Sequence, residues 1–463
     1  ALLALSVLGT LAAAIGASRL AARIEPAAEL PALWLVGIGS PLLFNAYVAW
    51  AHTPTAALVV WSVHWLTTNR VGSRRIVDLG AGTAALFAAC LLRTEAPLAG
   101  LALGFGWIGI AVVLRRIGRP DRTLLTSGLA ALSATAIGLV VDRATATPTD
   151  GPVTPPSFDE AFGLIDGRLE GFANTWLRPA YVMGPMDLLL VVSAVALIAT
   201  AIFVRRGPEG RALAVPTVLI ALGCVAVRFV LAPAATVPGL LIACPILIVG
   251  LILLDRETVT ERATLATLVP FVLFCGAVLA TQYRGGGGGE WGGRYFAIGL
   301  PLGLAVATVG LIRAGRLFQP PQRRQLVLML SAGVLLLNLL GLFGLRETRN
   351  RTDDLAATVT GTAVTAGDGD DRPVVVTTVN GLGRWLWEDL DSLRMLRVTS
   401  EELPDVGAQL AELDVQRLTL VSLDPDDDLQ LISSWYDLDP QDASVDGAST
   451  AAVPGAVLTL TRS

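Results

Sequence analysis

The chain has 463 residues, of which 53% are apolar and only 16% charged, and its net charge is −5. A soluble protein of this size buries its cores beneath half-polar faces, whereas long stretches here are apolar all round. An ordinary soluble enzyme is therefore excluded. The acidic balance comes largely from the C-terminal tail and gives no electrostatic footing for a nucleic-acid partner. Cys90, Cys224, Cys244 and Cys275 lie far apart inside apolar runs and read as packing residues, not as a disulfide or metal framework. No metal site and no cofactor is indicated. All 34 basic residues are arginine, a bias associated with GC-rich, actinobacterium-like genomes. Ala1 falls inside an apolar run with no initiator Met, so the natural N-terminus is expected to lie further upstream.

A spanning helix needs roughly 20 apolar residues. That criterion predicts about twelve spans, near 1–18, 30–48, 54–69, 77–93, 97–114, 123–141, 186–204, 212–233, 238–254, 263–281, 297–313 and 325–344. The connecting loops alternate in arginine. One set holds Arg19 and Arg23; Arg70, Arg74 and Arg75; Arg115, Arg116, Arg119 and Arg122; Arg205, Arg206 and Arg211; Arg256 and Arg262; and Arg313, Arg316, Arg323 and Arg324. The other holds Arg93, Arg143, Arg168, Arg178, Arg284 and Arg294, which is 6 against 18. Short arginine-rich loops stay in the cytoplasm, so the second set is expected to face outward from the plasma membrane. The arginine-rich loops read as plain anchors.

The unusual sequence lies on the outward side. The loop at 142–185 carries Phe158, Phe162, Ile165, Leu169 and Phe172 at helical spacing, a pattern suited to a helix lying in the membrane interface. A glycine-rich loop occupies 282–296. Beyond the multi-span part, 1–344, the tail at 345–463 reads as a soluble α/β domain outside the cytoplasm. Its predicted strands are 373–379, 417–423 and 456–462, and its predicted helices are 403–414 and the stretch from Trp385 to Leu393. Asp424–Asp428 reads as a solvated turn in preference to a cation site. The fold class is thus an all-α polytopic membrane protein with a C-terminal soluble α/β domain.

Charged groups at membrane level are costly and default to functional candidates. Arg93 and Glu95 in LLRTEAP sit where two spans meet the outer surface; the plain alternative is a snorkelling interfacial pair. His52 lies at an outer turn, whereas His64, between Trp61 and Trp65, reads as structural. Arg228, alone in a span, fits a cavity or a snorkel equally well. TQYRGGGGGEWGGRYFAIGLP (281–301) is the strongest local signal. Five glycines let a backbone approach a ligand closely, and they are flanked by Arg284, Glu290, Trp291, Arg294 and Tyr295. Arginine forks suit phosphate, a tryptophan face suits the apolar side of a sugar ring, and a carboxylate accepts sugar hydroxyls. The plain alternative is a flexible loop with interfacial aromatics.

Three of these segments carry a family resemblance. EWGGRY ahead of an apolar helix resembles the QWGPRY-type motif of GT-C membrane glycosyltransferases, the polyprenyl-phosphate-sugar-dependent class that includes protein mannosyltransferase-like enzymes. SPLLFNAYVAWAHT is similar to that group's TPLLFYSxxFWEHT segment, and LLRTEAP to its RPE element. The three occur in the family's order and together cover most of the membrane part. Ala51 stands where the family has an acid before the histidine, and Glu290 and Gly293 stand where it often has Gln and Pro.

The resemblance implies transfer of a sugar from a polyprenyl-phosphate donor, held at the membrane lipid surface, to an extracytoplasmic glycan, lipid or protein acceptor. It implies substrate contacts at Arg93, Glu95, His52, Glu290, Trp291, Arg294 and Tyr295; Arg284 joins them from the loop's own composition. The family's catalytic acid follows the first span, and residues 1–18 resemble the second, so that acid is expected upstream of Ala1. Two other classes fit the same composition. One is a transporter or flippase of a lipid-linked saccharide, expected to show broken helices, midplane charges and an internal repeat. The other is a non-catalytic envelope assembly protein.

Overall fold

The computed structural model describes residues 2–47, 51–68, 72–145, 168–180, 183–281, 291–366, 372–379, 382–386, 390–422, 424–438 and 456–462. The protein divides into two compact units, Ala1–Gly344 and Leu345–Ser463.

The first unit is helical. Its elements are α1 (Leu2–Ile24), α2 (Glu29–Gly37), α3 (Leu42–Asn45), α4 (His52–Leu66), α5 (Ser73–Leu92), α6 (Ala96–Arg116), α7 (Arg122–Thr145) and α8 (168–176). They are followed by α9 (Leu188–Arg205), α10 (Pro208–Ala212), α11 (Ala214–Leu231), α12 (Leu240–Ala243), α13 (Pro245–Ile252), α14 (Arg256–Thr260), α15 (Arg262–Thr281), α16 (Leu300–Gly315) and α17 (Pro320–Ala366), whose residues from Leu345 onward belong to the second unit.

Among the described residues, 8 helices are long and apolar enough to cross a membrane. Many of their large apolar side chains face outward, with Ile76 73%, Val140 67% and Val230 78% exposed. A water-facing protein does not leave so much apolar surface uncovered; a membrane-embedded one does.

The other four expected spans fall on shorter or interrupted helices. The run 30–48 is split at Gly39-Ser40-Pro41 into α2 and α3, because proline cannot donate its backbone hydrogen bond within a helix. Pro245 likewise divides 238–254 into α12 and α13. The runs at 54–69 and 297–313 give α4 and α16, of 15 and 16 residues, or about 22–24 Å at 1.5 Å per residue against a hydrocarbon core of about 30 Å. Small residues set the packing. A Cβ added at Gly250 would lie 2.3 Å from the Ala307 carbonyl oxygen, so α13 and α16 are in backbone contact.

The last span differs most from expectation. Instead of ending near 344, α17 runs unbroken for 47 residues. Beyond the apolar stretch it continues through RETRNRTDD, where Arg351–Glu347 (2.9 Å) and Arg349–Asp353 (3.4 Å) pair one turn apart.

The second unit contains a five-stranded sheet of order β2-β1-β3-β5-β4, built from β1 (Val374–Thr377), β2 (Arg394–Arg397), β3 (Arg417–Ser422), β4 (Tyr436–Leu438) and β5 (Ala456–Arg462). β1 lies parallel between β2 and β3, in register Val375–Met395 and Val375–Thr419, while β5 runs antiparallel to both β3 and β4. All four β1 residues are buried, which requires cover on both faces. Val374 and Val376 pack with Leu403 and Leu410 of α19 (Leu403–Glu412) and Ile432 of α20 (Pro425–Ile432). Val375 on the opposite face packs with Val359 and Ala363 of α17 and Leu382 of α18 (Leu382–Trp385).

The helix expected from Trp385 to Leu393 sits instead at Leu382–Trp385, and residues 387–389 lie outside the described set. The segment Asp424–Asp428, expected as a solvated turn, leaves Asp424, Asp426 and Asp427 exposed. It opens α20, and Asp428, 1% exposed, accepts hydrogen bonds from the hydroxyls of Thr378 (2.8 Å) and Ser422 (2.6 Å).

Candidate functional site

Segments far apart in the sequence meet at one end of the helical unit. Ser40 shapes the first, its hydroxyl donating to the Val36 carbonyl at 2.7 Å and accepting from the Leu42 amide at 3.3 Å. The chain then turns through Pro41 into α3 and presents Phe44, whose ring centroid lies 4.7 Å from that of Trp291. Gly292 presses on the same turn: a Cβ there would fall 2.2 Å from Pro41 Cγ. The SPLLFN and WGGRY segments are therefore in direct contact.

Two consecutive glycines make that contact possible. Gly292 (φ 71°) and Gly293 (φ 68°) both occupy the left-handed region that side-chain-bearing residues avoid. Their amides donate to the carbonyls of Val237 and Pro238, each at 2.6 Å. This replaces helical hydrogen bonds with a clamp onto the irregular segment before α12. Immediately after, Arg294–Phe296 forms a single 3₁₀ turn, with the Arg294 guanidinium 5.2 Å from the centre of the Tyr295 ring.

Arg93 and Glu95 occupy the joint between α5 and α6. Arg93 leaves α5 in an extended conformation, and Pro97 sits in the first turn of α6, where its missing N–H costs nothing. The pair is bidentate, Arg93 Nε to Glu95 Oε2 at 3.0 Å and Nη2 to Oε1 at 2.6 Å, with side chains 20% and 10% exposed. The carboxylate is thus committed to fixing Arg93 in orientation.

His52, at the start of α4 and 1% exposed, lies within electrostatic reach of both Arg93 and Arg294. His52, Arg93, Glu95, Trp291, Arg294 and Tyr295 therefore share one end of the unit. Arg284 and Glu290, expected at the same site, lie outside the described residues, as do Phe158, Phe162 and Ile165 of the expected interfacial helix.

Two residues of the site, Trp176 and Asn45, were not picked out from sequence. Trp176 of α8 packs edge-on against Phe296 at 4.8 Å, and Phe172 lies 6.0 Å from Trp176, so α8 forms one wall of the WGGRY turn. Asn45, 6% exposed, buries its Nδ2 without a hydrogen-bond partner among the described residues, and so does the Trp176 indole nitrogen. Buried donors left unpaired are costly, and two beside one turn suit an oxygen-rich ligand. An amide inside an otherwise apolar run was the available signal for Asn45.

Arg228 has a structural explanation instead. It reaches Asp187 through Nε at 3.0 Å and Nη2 at 2.9 Å, and the Gly184 amide holds the other carboxylate oxygen at 2.9 Å.

An apolar cavity of about 410 Å³ opens among α2, α9, α11, α13, α16 and α17, lined by residues such as Trp34, Ile38, Leu197, Val218, Leu330 and Val334. Along α17 it extends from Arg323 to Asn338, about 22 Å of helix. One end adjoins the site. Asn338 donates to the Ile38 carbonyl at 2.7 Å, and one turn further on a Cβ at Gly341 would touch both Phe44 (2.5 Å) and Trp291 (3.1 Å).

Comparisons with protein-family models, with curated proteins and with solved structures give no match to this chain.

Proposed function

We propose that this protein is a plasma-membrane glycosyltransferase of the GT-C type. On this reading it moves a sugar from a polyprenyl-phosphate donor to an extracytoplasmic glycan, lipid or protein. The observation that carries the reading is convergence: the three segments that resemble the family's motifs are far apart in sequence, and their His52, Arg93–Glu95 and Trp291–Arg294 elements share one end of the helical unit. α2–α3, α4, α12–α13 and α16 then complete a twelve-span arrangement by local thinning of the bilayer. The arginine-poor end, which carries the site, faces outward, and the C-terminal domain is extracytoplasmic on the same reading.

The acceptor hydroxyl oxygen forms a bond to the anomeric carbon, and the bond from that carbon to the phosphate oxygen breaks with its electron pair leaving on the phosphate. The acceptor proton passes to a carboxylate acting as general base. The lipid phosphate gains one negative charge. Arg294 and Arg93 meet it there, where electrostatic stabilisation counts most. Trp291 offers a face to the sugar, Asn45 and Trp176 offer unspent donors, and the apolar cavity leading from Asn338 takes the polyprenyl tail.

Arg294→Gln in the full-length protein is expected to cut transfer from a polyprenyl-phosphate sugar about 10²- to 10³-fold without altering expression. Unchanged transfer would remove the WGGRY turn from the site. A saccharide transporter is the second reading, favoured by the helix break at Pro245. Against it, Arg228 and Asp187, a charged pair buried between helices, are committed to each other.

A further inference from the structure

The far end of the same helices holds a second polar cavity. α1 and α4 touch near the first site through the Thr53 hydroxyl and the Ser6 carbonyl (2.6 Å), and again at their other ends, where Arg23 bonds to Thr67 and Thr68. A cavity of about 230 Å³ opens there, lined by Arg23, Thr67, Thr68, Arg262, Ala263 and Thr267. We propose that this cavity is a binding site for a phosphoryl oxyanion, supplied by an anionic phospholipid headgroup or by free phosphate.

Charge carries the argument first. Arg23 and Arg262 line the space, and Arg75 stands beside it, close enough for its charge to act on Arg262 and Asp121. The opposing acids are Asp121, which takes two hydrogen bonds from Arg262, and Asp78, which acts on Arg75. Arg75 is committed, donating to the Leu66 and Thr68 carbonyls at 2.9 and 3.1 Å and to the Ser127 hydroxyl at 2.8 Å. The guanidiniums that face the cavity itself are those of Arg23 and Arg262.

Geometry points the same way. Arg262 and Ala263 open α15, a 20-residue helix, so the positive end of its dipole and its first amides adjoin the cavity. Three threonine hydroxyls ring the space, each donating to a carbonyl one turn back: Thr67 to Val63 and Thr68 to His64 at 2.6 Å, and Thr267 to Ala263 at 3.0 Å. One rotation about χ1 re-aims each hydroxyl. Guanidinium forks with several hydroxyls match a group that offers several acceptor oxygens, more than they match a monatomic anion. Basic pockets between helices at an arginine-rich membrane face are also where phospholipid phosphates lie.

The test is thermal unfolding of the purified full chain in detergent micelles at constant ionic strength, with phosphatidylglycerol, phosphatidylcholine or inorganic phosphate added. The midpoint is expected to rise with phosphatidylglycerol or phosphate and not with phosphatidylcholine or chloride. A rise with phosphatidylglycerol alone identifies the lipid source, and a rise with phosphate alone the free anion. Arg23→Gln should weaken the effect about fivefold, from the ~1 kcal/mol an arginine contributes beside an anionic surface. Arg19→Gln, on the same helix but paired with Glu29, should leave it intact. Ala263→Leu, which fills the space and keeps the charge, should abolish it. Equal shifts with both lipids, or equal losses in the Arg19 and Arg23 variants, would overturn the proposal.

Discussion

Gly293 shows how much a single backbone angle decides. Its φ of 68° and its hydrogen bond to Pro238 hold the WGGRY turn against the segment before α12. The related motif often has proline at this position, but proline is fixed near −65° and has no N–H to donate. Gly293→Pro is therefore expected to destabilise the protein by about 3 kcal/mol or more, read as a lowered unfolding midpoint, and an unchanged midpoint would mean that the turn is not clamped this way. Residue chemistry was legible where it was local. Arg93 and Glu95 are two positions apart, and their pairing could be anticipated from sequence. Arg228 and Asp187 are 41 positions apart, and nothing local connects them. Asn45 and Trp176 are visible as polar atoms in apolar surroundings, but only packing reveals that their donors are unspent.

At the scale of elements, hydropathy located apolar runs but not the points at which they break. Pro41 and Pro245 interrupt two of them, and 15–16-residue helices carry two more. The end of α17 was misread because its polar second half keeps helical hydrogen bonding through side-chain pairs one turn apart. In the sheet, β1, β3 and β5 were legible from their β-branched and apolar runs. β2 was missed because its burial pattern is nearly all exposed, and β4 because it is three residues long.

The arginine-rich loops do more than anchor. Glu25 joins Arg316 at 2.7 Å and Arg313 at 3.4 Å, and Arg313 also meets Glu261 at 2.8 Å, tying α1, α15 and α16 together. The hydrogen bond from Arg316 holds the Glu25 carboxyl below its ordinary value of 4.5. With the folded-state value depressed, this contribution is complete above about pH 4.5 and is lost as pH falls through the lower folded-state value. Thermal unfolding followed from pH 6 to pH 3 should show the midpoint falling over that window in the wild type and less steeply in Glu25→Gln. Parallel curves would mean that the cluster contributes no pH-dependent stability.

For the whole molecule, the central claim is that one end of the helical unit forms a single anionic-ligand site from segments far apart in sequence. Arg93, fixed by Glu95, and Arg294, fixed by the two-glycine turn, should act on the same phosphate, and residues that share a ligand group are not additive. Equilibrium binding of a polyprenyl-phosphate sugar to nanodisc-embedded protein measures this directly, in the wild type, Arg93→Gln, Arg294→Gln and the double variant. The account predicts that each single substitution weakens binding about tenfold or more, with a coupling of ~0.5–3 kcal/mol between them. Wild-type affinity in both single variants, or losses that simply add, would contradict it.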